Sequence, residues 1–275
     1  MRTRYIGSRD RQPLDNDQLR RIAPAIFAEA ARPDLSSRYA FLPTSSVVEG
    51  LRSAGWVPVH AAQGRSRNES AAGLQRHVVR FNHPDMKLAA QVGDTVPELA
   101  LENSHDGTRS YLLSAALYRK ACANGLMVCD GTLDAIRVRH TGAKIDDVVE
   151  ASFQVIAEVP KLAASVEGMR AVTLSSDEQI ILAESAASMR WEPDAMPVQP
   201  TALLTPRRSA DTAHDIFTTL NVVQENIIRG GLRGKSTTGH RMTTRAVTSV
   251  TEDSKLNKAL WALSERMRQL KTGAA

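Results

Sequence analysis

Apolar residues recur at three- and four-residue steps through Leu19, Ile22, Ala23, Ile26, Phe27 and Ala30, the spacing of one helix face. Asp15 stands where a cap belongs, and Pro33 marks the stop. Tyr39 to Leu42 is a short apolar run that predicts a strand. Thr44 is placed to cap a short helix carrying Val47, Val48 and Leu51, which Gly55 closes. From Trp56 to His140 the period changes to two. Trp56–Val59 predicts a strand, and Pro58 assigns it to a sheet edge. The polar, glycine- and serine-rich stretch Gln63–Gly73 predicts a mobile loop. Strands are predicted at His77–Phe81 and Lys87–Val92 around the turn Asn82–Asp85. Two more, Glu98–Glu102 and Arg109–Tyr118, flank Asn103-Ser104-His105-Asp106-Gly107, where Asp-Gly is a hairpin signal. Asn124-Gly125 predicts another turn, and Leu133–His140 alternates as a strand.

The second half returns to helical spacing. Val148, Val149, Ser152, Val155, Ile156 and Val159 predict a helix that ends near Pro160 or passes it with a kink. Ser175 and Glu178 form a capping box for a helix reaching about Arg190. Four prolines (Pro193, Pro197, Pro200 and Pro206) then predict a linker or extended crossing segment. Asp211 is the expected cap of a helix with the stripe Ile216, Phe217, Leu220, Val223, Ile227 and Ile228, ended by Gly230-Gly231. Leu256, Leu260, Leu263, Met267 and Leu270 predict a last helix. The expected fold is α+β: a curved, mostly antiparallel sheet in the middle of the chain, packed by N- and C-terminal helices. The expected organisation is an α+β core over 1–192, a proline-rich crossing segment over 193–208, and a C-terminal helical part over 209–275 packed on the core.

Composition narrows the classes. With 42% hydrophobic residues in 275, the chain can bury a sizeable core, and with 4% aromatics that core is mainly aliphatic. Cys122 and Cys129 are too few for a disulfide framework or a four-ligand zinc site, and seven-residue spacing excludes CxxC chemistry. They are expected as buried free thiols in a reducing cytoplasm. No apolar stretch approaches the ~18 residues of a membrane helix, and the basic N-terminus lacks a signal-peptide core. A soluble cytoplasmic protein without membrane contact or cofactor is expected. The net charge of +5 and pI near 9.4 fit an anionic partner.

Charge is concentrated in Arg229–Arg245, RGGLRGKSTTGHRMTTR. Arg229, Arg233, Lys235, Arg241 and Arg245 lie there with no acidic residue among them. Glycines, hydroxyls and unopposed cations suit a flexible phosphate-contacting loop. It is not a P-loop: Arg229 occupies the position of the first glycine, and the segment follows a helix. Arg137 and Arg139, at two-residue spacing, would share a strand face, and Arg109 and Lys120 on neighbouring strands would extend a basic surface. The turn residues Asn103, His105 and Asp106 form a candidate polar site, readable as acid–base or metal chemistry with Glu98, Glu102 or His140, or as turn structure alone. No metal-ligand spacing or nucleophile motif appears among the other histidines or Cys122, so no catalytic residue and no metal ligand is assigned.

Glu98-Leu-Ala-Leu-Glu-Asn-Ser-His-Asp-Gly resembles the signature of a phage- and plasmid-borne family, the domain of unknown function numbered 932. Cys122-Ala-Asn-Gly-Leu, Arg137-Val-Arg-His-Thr-Gly, Val222–Gly231 and Thr243–Val247 are similar to its further stretches, in order, and the likeness spans about Tyr39 to Leu270. Lys120-Ala121 depart from the aromatic and Val common before the cysteine in that family. The resemblance implies a mobile-element origin and no established activity. The expected function is nucleic-acid binding, with single-stranded DNA favoured, a homo-oligomer as the candidate assembly, and binding or annealing as the activity. Two alternatives stand beside it: a metal-dependent nuclease at His105 and Asp106, and a host-factor-binding, anti-defence protein.

Overall fold

The structure is a computed structural model, and it describes residues 12–64, 72–89, 95–119, 124–127, 135–142 and 144–273. Cys122, Cys129, Lys120 and most of the predicted 63–73 loop lie outside the described residues. Two compact units emerge from the packing: residues 1–161 with 249–251, and 162–248 with 252–275.

The first unit opens with α1 (Asn16–Ile22), where Asp15 and Gln18 complete a capping box. The helix is shorter than its apolar stripe predicted. Pro24 has no N–H to continue the ladder, so Pro24–Phe27 tightens into a 3-10 turn instead. The predicted strand Tyr39–Leu42 joins no sheet; its Ala40 N–H donates to the His140 carbonyl (2.6 Å) and its Leu42 carbonyl accepts from the Tyr111 hydroxyl (2.8 Å). Helix α2 (Thr44–Ser53) buries Val47, Val48 and Leu51, and Gly55 (φ +91°) follows its end.

The sheet is antiparallel, in the order β1 (Val57–Gln63), β2 (His77–Asn82), β3 (Thr95–Asn103), β4 (Tyr111–Arg119), β5 (Asn124–Met127). The short β6 (Ile136–Val138) pairs the other end of β4. Pro58 sits on an edge strand, where its missing N–H is tolerated, and the register slips between Pro58 and His60. The hairpin signal at Gly107 joins β3 to β4. Two predictions fail here. Residues 87–89 of the predicted strand Lys87–Val92 belong to helix α3 (Pro84–Ala89), which proline opens. Asn124-Gly125 lies inside β5, not in a turn, because pairing with Arg119 and Tyr118 claims it.

The central strands are buried on both faces. One face carries Phe81, Leu99, Leu101 and Leu113, all sealed from solvent. The other carries Val78, Ala100 and Ala116, clustered with Ala62 and Val250. That second face also holds the ion pairs Arg80–Glu98 (3.7 Å) and Arg76–Glu102. Helix α4 (Ile145–Arg170) then passes through Pro160 unbroken and contributes residues to both units.

In the second unit, Ser175 and Glu178 cap α5 (Ser176–Ser188) as predicted. The proline-rich segment folds into 3-10 turns at Pro193–Ala195 and Pro200–Leu204 and buries Val198 and Leu203. Asp211 is not the cap of the next helix. It is buried and bonds Arg208, and Asp215 caps α6 (Ile216–Arg229) through the Thr218 N–H (2.8 Å). Gly230 and Gly231, both at positive φ, end α6 as read. Helix α7 (Val250–Thr272) closes the chain.

Candidate functional sites

Antiparallel register places His77 opposite Asn103, and the β3–β4 pairing runs on to set Tyr111 beside it. These three side chains therefore lie in one row across the sheet. His105 lies two residues beyond Asn103, and His140 two beyond Val138, the partner of Tyr111. The N-terminus of α2 adds Thr44, whose hydroxyl becomes a hub. Its Oγ1 is 3.0 Å from His77 Nε2, 3.0 Å from His105 Nε2, 3.0 Å from Asn103 Nδ2 and 3.2 Å from the Tyr111 hydroxyl. Sequence reading expected this hydroxyl to cap α2. It caps nothing, and Pro43 stands at the cap position.

The protons can be assigned from the partners that only accept. His77 Nδ1 lies 2.9 Å from the Gln75 carbonyl and so carries the hydrogen, which leaves Nε2 to accept the Thr44 proton. Tyr111 donates to the Leu42 carbonyl at 2.8 Å. Thr44 then accepts from Asn103 Nδ2 and from His105 Nε2. Asn103 Oδ1 accepts from His140 Nε2 at 2.8 Å. The aromatic surroundings are close: Tyr39 stacks on His140 at 4.6 Å, and Phe41 tilts against His105 at 4.9 Å.

Thr44, His77, Asn103 and His105 are fully buried and His140 nearly so. Burial disfavours the imidazolium. It pushes His77 down to about 4, against the Gln75 carbonyl and Asp106, which favour the charged form. It pushes His105 to about 3, with His77 and His140 adding to the drop. His140 is lowered for the same reason. The cluster is neutral at pH 7.

Asp106 faces a different task. Its Oδ1 accepts from Ser104 Oγ (2.7 Å), the Thr108 N–H (3.0 Å) and Thr108 Oγ1 (2.6 Å), which shapes the β3–β4 turn. Burial works against the carboxylate, but bonds from Thr108 and Ser104 and the nearby Arg32 keep its pKa below the ordinary value. Glu98 and Glu102 point to the opposite sheet face and are engaged by Arg80 and Arg76. The predicted polar site thus divides: His105 joins Asn103 and His140 in the sealed cluster, Asp106 builds the turn, and the two glutamates lie elsewhere. Among the described residues no group of three or more His, Cys, Asp or Glu is arranged to hold a metal ion. Thr44 was expected only as a helix cap, and His77 and Tyr111 were not among the expected site residues, because each joins the cluster only through strand register and helix placement.

The basic segment in the second unit is ordered. Arg233–Lys235 (β7) and Arg241–Thr243 (β8) pair as an antiparallel hairpin, in register Arg233↔Thr243, Gly234↔Met242 and Lys235↔Arg241. The expectation of a flexible loop is corrected here. Directly paired residues share a face, so Arg233, Lys235, Arg241 and Thr243 all point one way and are exposed. Gly234 belongs to the other face. A Cβ there would stand 1.9 Å from the Pro197 carbonyl oxygen, and the Lys235 N–H bonds that same oxygen at 2.8 Å. The glycine serves this close approach of two backbones, whereas sequence reading assigned it to ligand contact.

The hairpin base is anchored by α6. Arg207 donates to Asn226 Oδ1 (2.7 Å) and to the Gly230 carbonyl, while Asn226 Nδ2 donates to the Leu203 (2.8 Å) and Thr205 (2.9 Å) carbonyls. Arg190 reaches the carbonyls of Ile227 and Arg245. Buried Glu225 holds Arg208 and, at 2.6 Å, Arg229. Of the predicted phosphate contacts, Arg229 is therefore engaged by the scaffold, while Arg233, Lys235, Arg241 and Arg245 are exposed. Arg109, Arg137 and Arg139 are exposed too, in the first unit: Arg109 in the turn before β4, Arg137 on β6 and Arg139 just past it. Glu225→Ala is expected to destabilise the second unit by about 2 kcal/mol, discounted because Arg229 is nearly half exposed. Urea unfolding checks it, and a change below about 0.5 kcal/mol would deny Glu225 its anchoring role.

An α+β chain with a sealed histidine–threonine cluster on its sheet and a basic hairpin in its second unit is thus defined. The chain belongs to the family described as Domain of unknown function (DUF932), whose model matches residues 34–261. It is similar to two proteins of Escherichia coli (strain K12), UPF0380 protein YafZ and UPF0380 protein YfjQ. Each is 36% identical over 260 residues, covering 94% of this chain and 93% of the relative. No solved structure matches. Among the described residues no helix is long and apolar enough to cross a membrane.

Proposed function

We propose that this chain binds nucleic acid, with the hairpin Arg233–Thr243 as the contact element. One observation carries the reading: Arg233, Lys235 and Arg241 share one exposed face, and two of them face each other directly across the ladder. Like charges so placed repel and weaken the strand pair. No acidic residue occurs between Asn226 and Thr251 to relieve them. A polyanionic partner relieves that repulsion, and released counterions favour its binding. Nucleic-acid binding of this kind, including an annealing activity, needs no catalytic residue. Exposed Arg109, Arg137 and Arg139 offer further sites for an anionic backbone.

The test is fluorescence anisotropy with labelled DNA at several salt concentrations. Replacing Arg233, Lys235 and Arg241 together by Ala is expected to reduce the slope of log affinity against log salt by about 2–3, near one per lost phosphate contact. An unchanged slope in a folded variant would remove the hairpin from the interface.

A further inference from the structure

We infer that the hairpin recognises double-stranded DNA by entering its major groove, in place of the single strand that the sequence suggested. This rests on the nucleic-acid reading above and specifies its ligand. Single-strand binders hold successive bases on aromatic platforms. From Thr218 to Leu260 the chain contains no Phe, Tyr or Trp, and the bounding Phe217 and Trp261 are buried. The hairpin's only ring is that of His240 in its connecting turn. Its face is made of long cations and hydroxyls, the side chains that reach phosphates and guanine edges.

The shape argues the same way. A two-stranded β-ribbon fits the major groove of B-form DNA, roughly 12 Å wide, and not the deep, narrow major groove of A-form RNA. Its strands are held as a ribbon before any ligand arrives. The Pro197 carbonyl fixes β7 from behind, the Ser236 N–H closes the turn on the His240 carbonyl at 2.8 Å, and Gly231 and Thr244 bond at 2.8 Å at the base. Gly230 has no room for a Cβ: the Thr244 and Arg245 carbonyl oxygens would lie within 2.7 Å of it. A rigid template suits a ligand of regular form, since little ordering is left to be done on binding. Thr237 and Thr238, exposed in the turn, can donate to the flanking phosphates.

The full chain is titrated by anisotropy against a labelled 24-base-pair DNA duplex, one of its single strands, and an RNA duplex of the same sequence. The DNA duplex is expected to bind at least about tenfold tighter than either. Methyl green, a major-groove ligand, is expected to displace the protein, and netropsin, a minor-groove ligand, to leave it bound. The variant R241Q, altered only at an exposed side chain, should lose about fivefold on the DNA duplex, which keeps the test open if the triple variant does not fold. Equal or tighter binding of the single strand or the RNA overturns the duplex assignment while the nucleic-acid reading stands. Displacement by netropsin alone overturns the groove. No binding to any of the three overturns both.

Discussion

Lowering the pH from 6.5 to 4.5 is expected to cost the first unit about 5 kcal/mol of stability, before most carboxylates titrate. Free imidazoles take up a proton near pH 6.5. In the fold, burial lowers His77 to about 4 and His105 to about 3. Between those values the unfolded chain binds more protons than the folded one, so stability falls as pH falls. It is fully present above 6.5 and is lost as the pH drops towards the folded values. Each pH unit is worth up to about 1.4 kcal/mol per imidazole, so two groups over two units give about 5 kcal/mol. His140 adds in the same direction. That is comparable with the entire stability of many domains. Urea midpoints at pH 7.0, 6.0, 5.0 and 4.5 would read it. His105→Gln should flatten the dependence by about one imidazole's share. A stability that stays constant from pH 7 to pH 5 would mean that these histidines are not held neutral in the fold.

The sequence carried the outline of this arrangement and not its centre. Strands β2, β3 and β4 were legible because their side chains are largely apolar and Asp-Gly marks the β3–β4 turn, whereas the expected turn Asn82–Asp85 failed because Pro84 and Asp85 open α3. Pro58 and the Ser175–Glu178 box were legible because each is a local rule about one N–H group. What else failed was non-local. Asn124-Gly125 has turn composition, but pairing with β4 makes it strand. Asp211 was expected as the cap of α6, but the Arg208 guanidinium takes its carboxylate, and Asp215 caps the helix instead. Thr44 reads as a cap from its neighbours alone, and only the meeting of His77, Asn103 and His105 gives its hydroxyl other work. His77, His105 and His140 lie 28 and 35 residues apart in turn, beyond any ligand-spacing rule, and strand register alone brings them together.

The basic segment shows the same division. Its charge was legible residue by residue, and its order was not. Glycine and serine content predicts a pliable loop, yet the Pro197 carbonyl and the α6 carboxamide of Asn226 lie in stretches read separately as linker and helix. The family signatures gain a physical meaning from this. Asn103-Ser104-His105-Asp106-Gly107 supplies the cluster and the turn beside it. Gln224-Glu225-Asn226 supplies the anchor of the hairpin, with Gln224 also donating to Asn257 at 2.8 Å. These are positions where one side chain serves several partners at once.

Thr44→Val tests that reasoning most sharply, and it is expected to destabilise the protein by about 3–4 kcal/mol. Valine matches threonine in shape, so no cavity opens and the loss isolates the hydroxyl. Without it, Asn103 Nδ2 and His105 Nε2 lose their acceptor, and His77 Nε2 loses its donor. Each buried polar group left without a partner costs about 1–3 kcal/mol, and no solvent reaches any of them. Tautomer changes recover part of the sum, but His77 is held by the Gln75 carbonyl, which needs the Nδ1 hydrogen. Thr44→Ser keeps the hydroxyl and loses one buried methyl, so about 1 kcal/mol is expected. Asp106→Ala, which removes hydrogen bonds confined to the turn, should also stay near about 1 kcal/mol. Chemical unfolding of the three variants at pH 7 separates the outcomes. If valine proves no worse than serine, Thr44 is a packing residue, and the histidines and Asn103 satisfy one another without it.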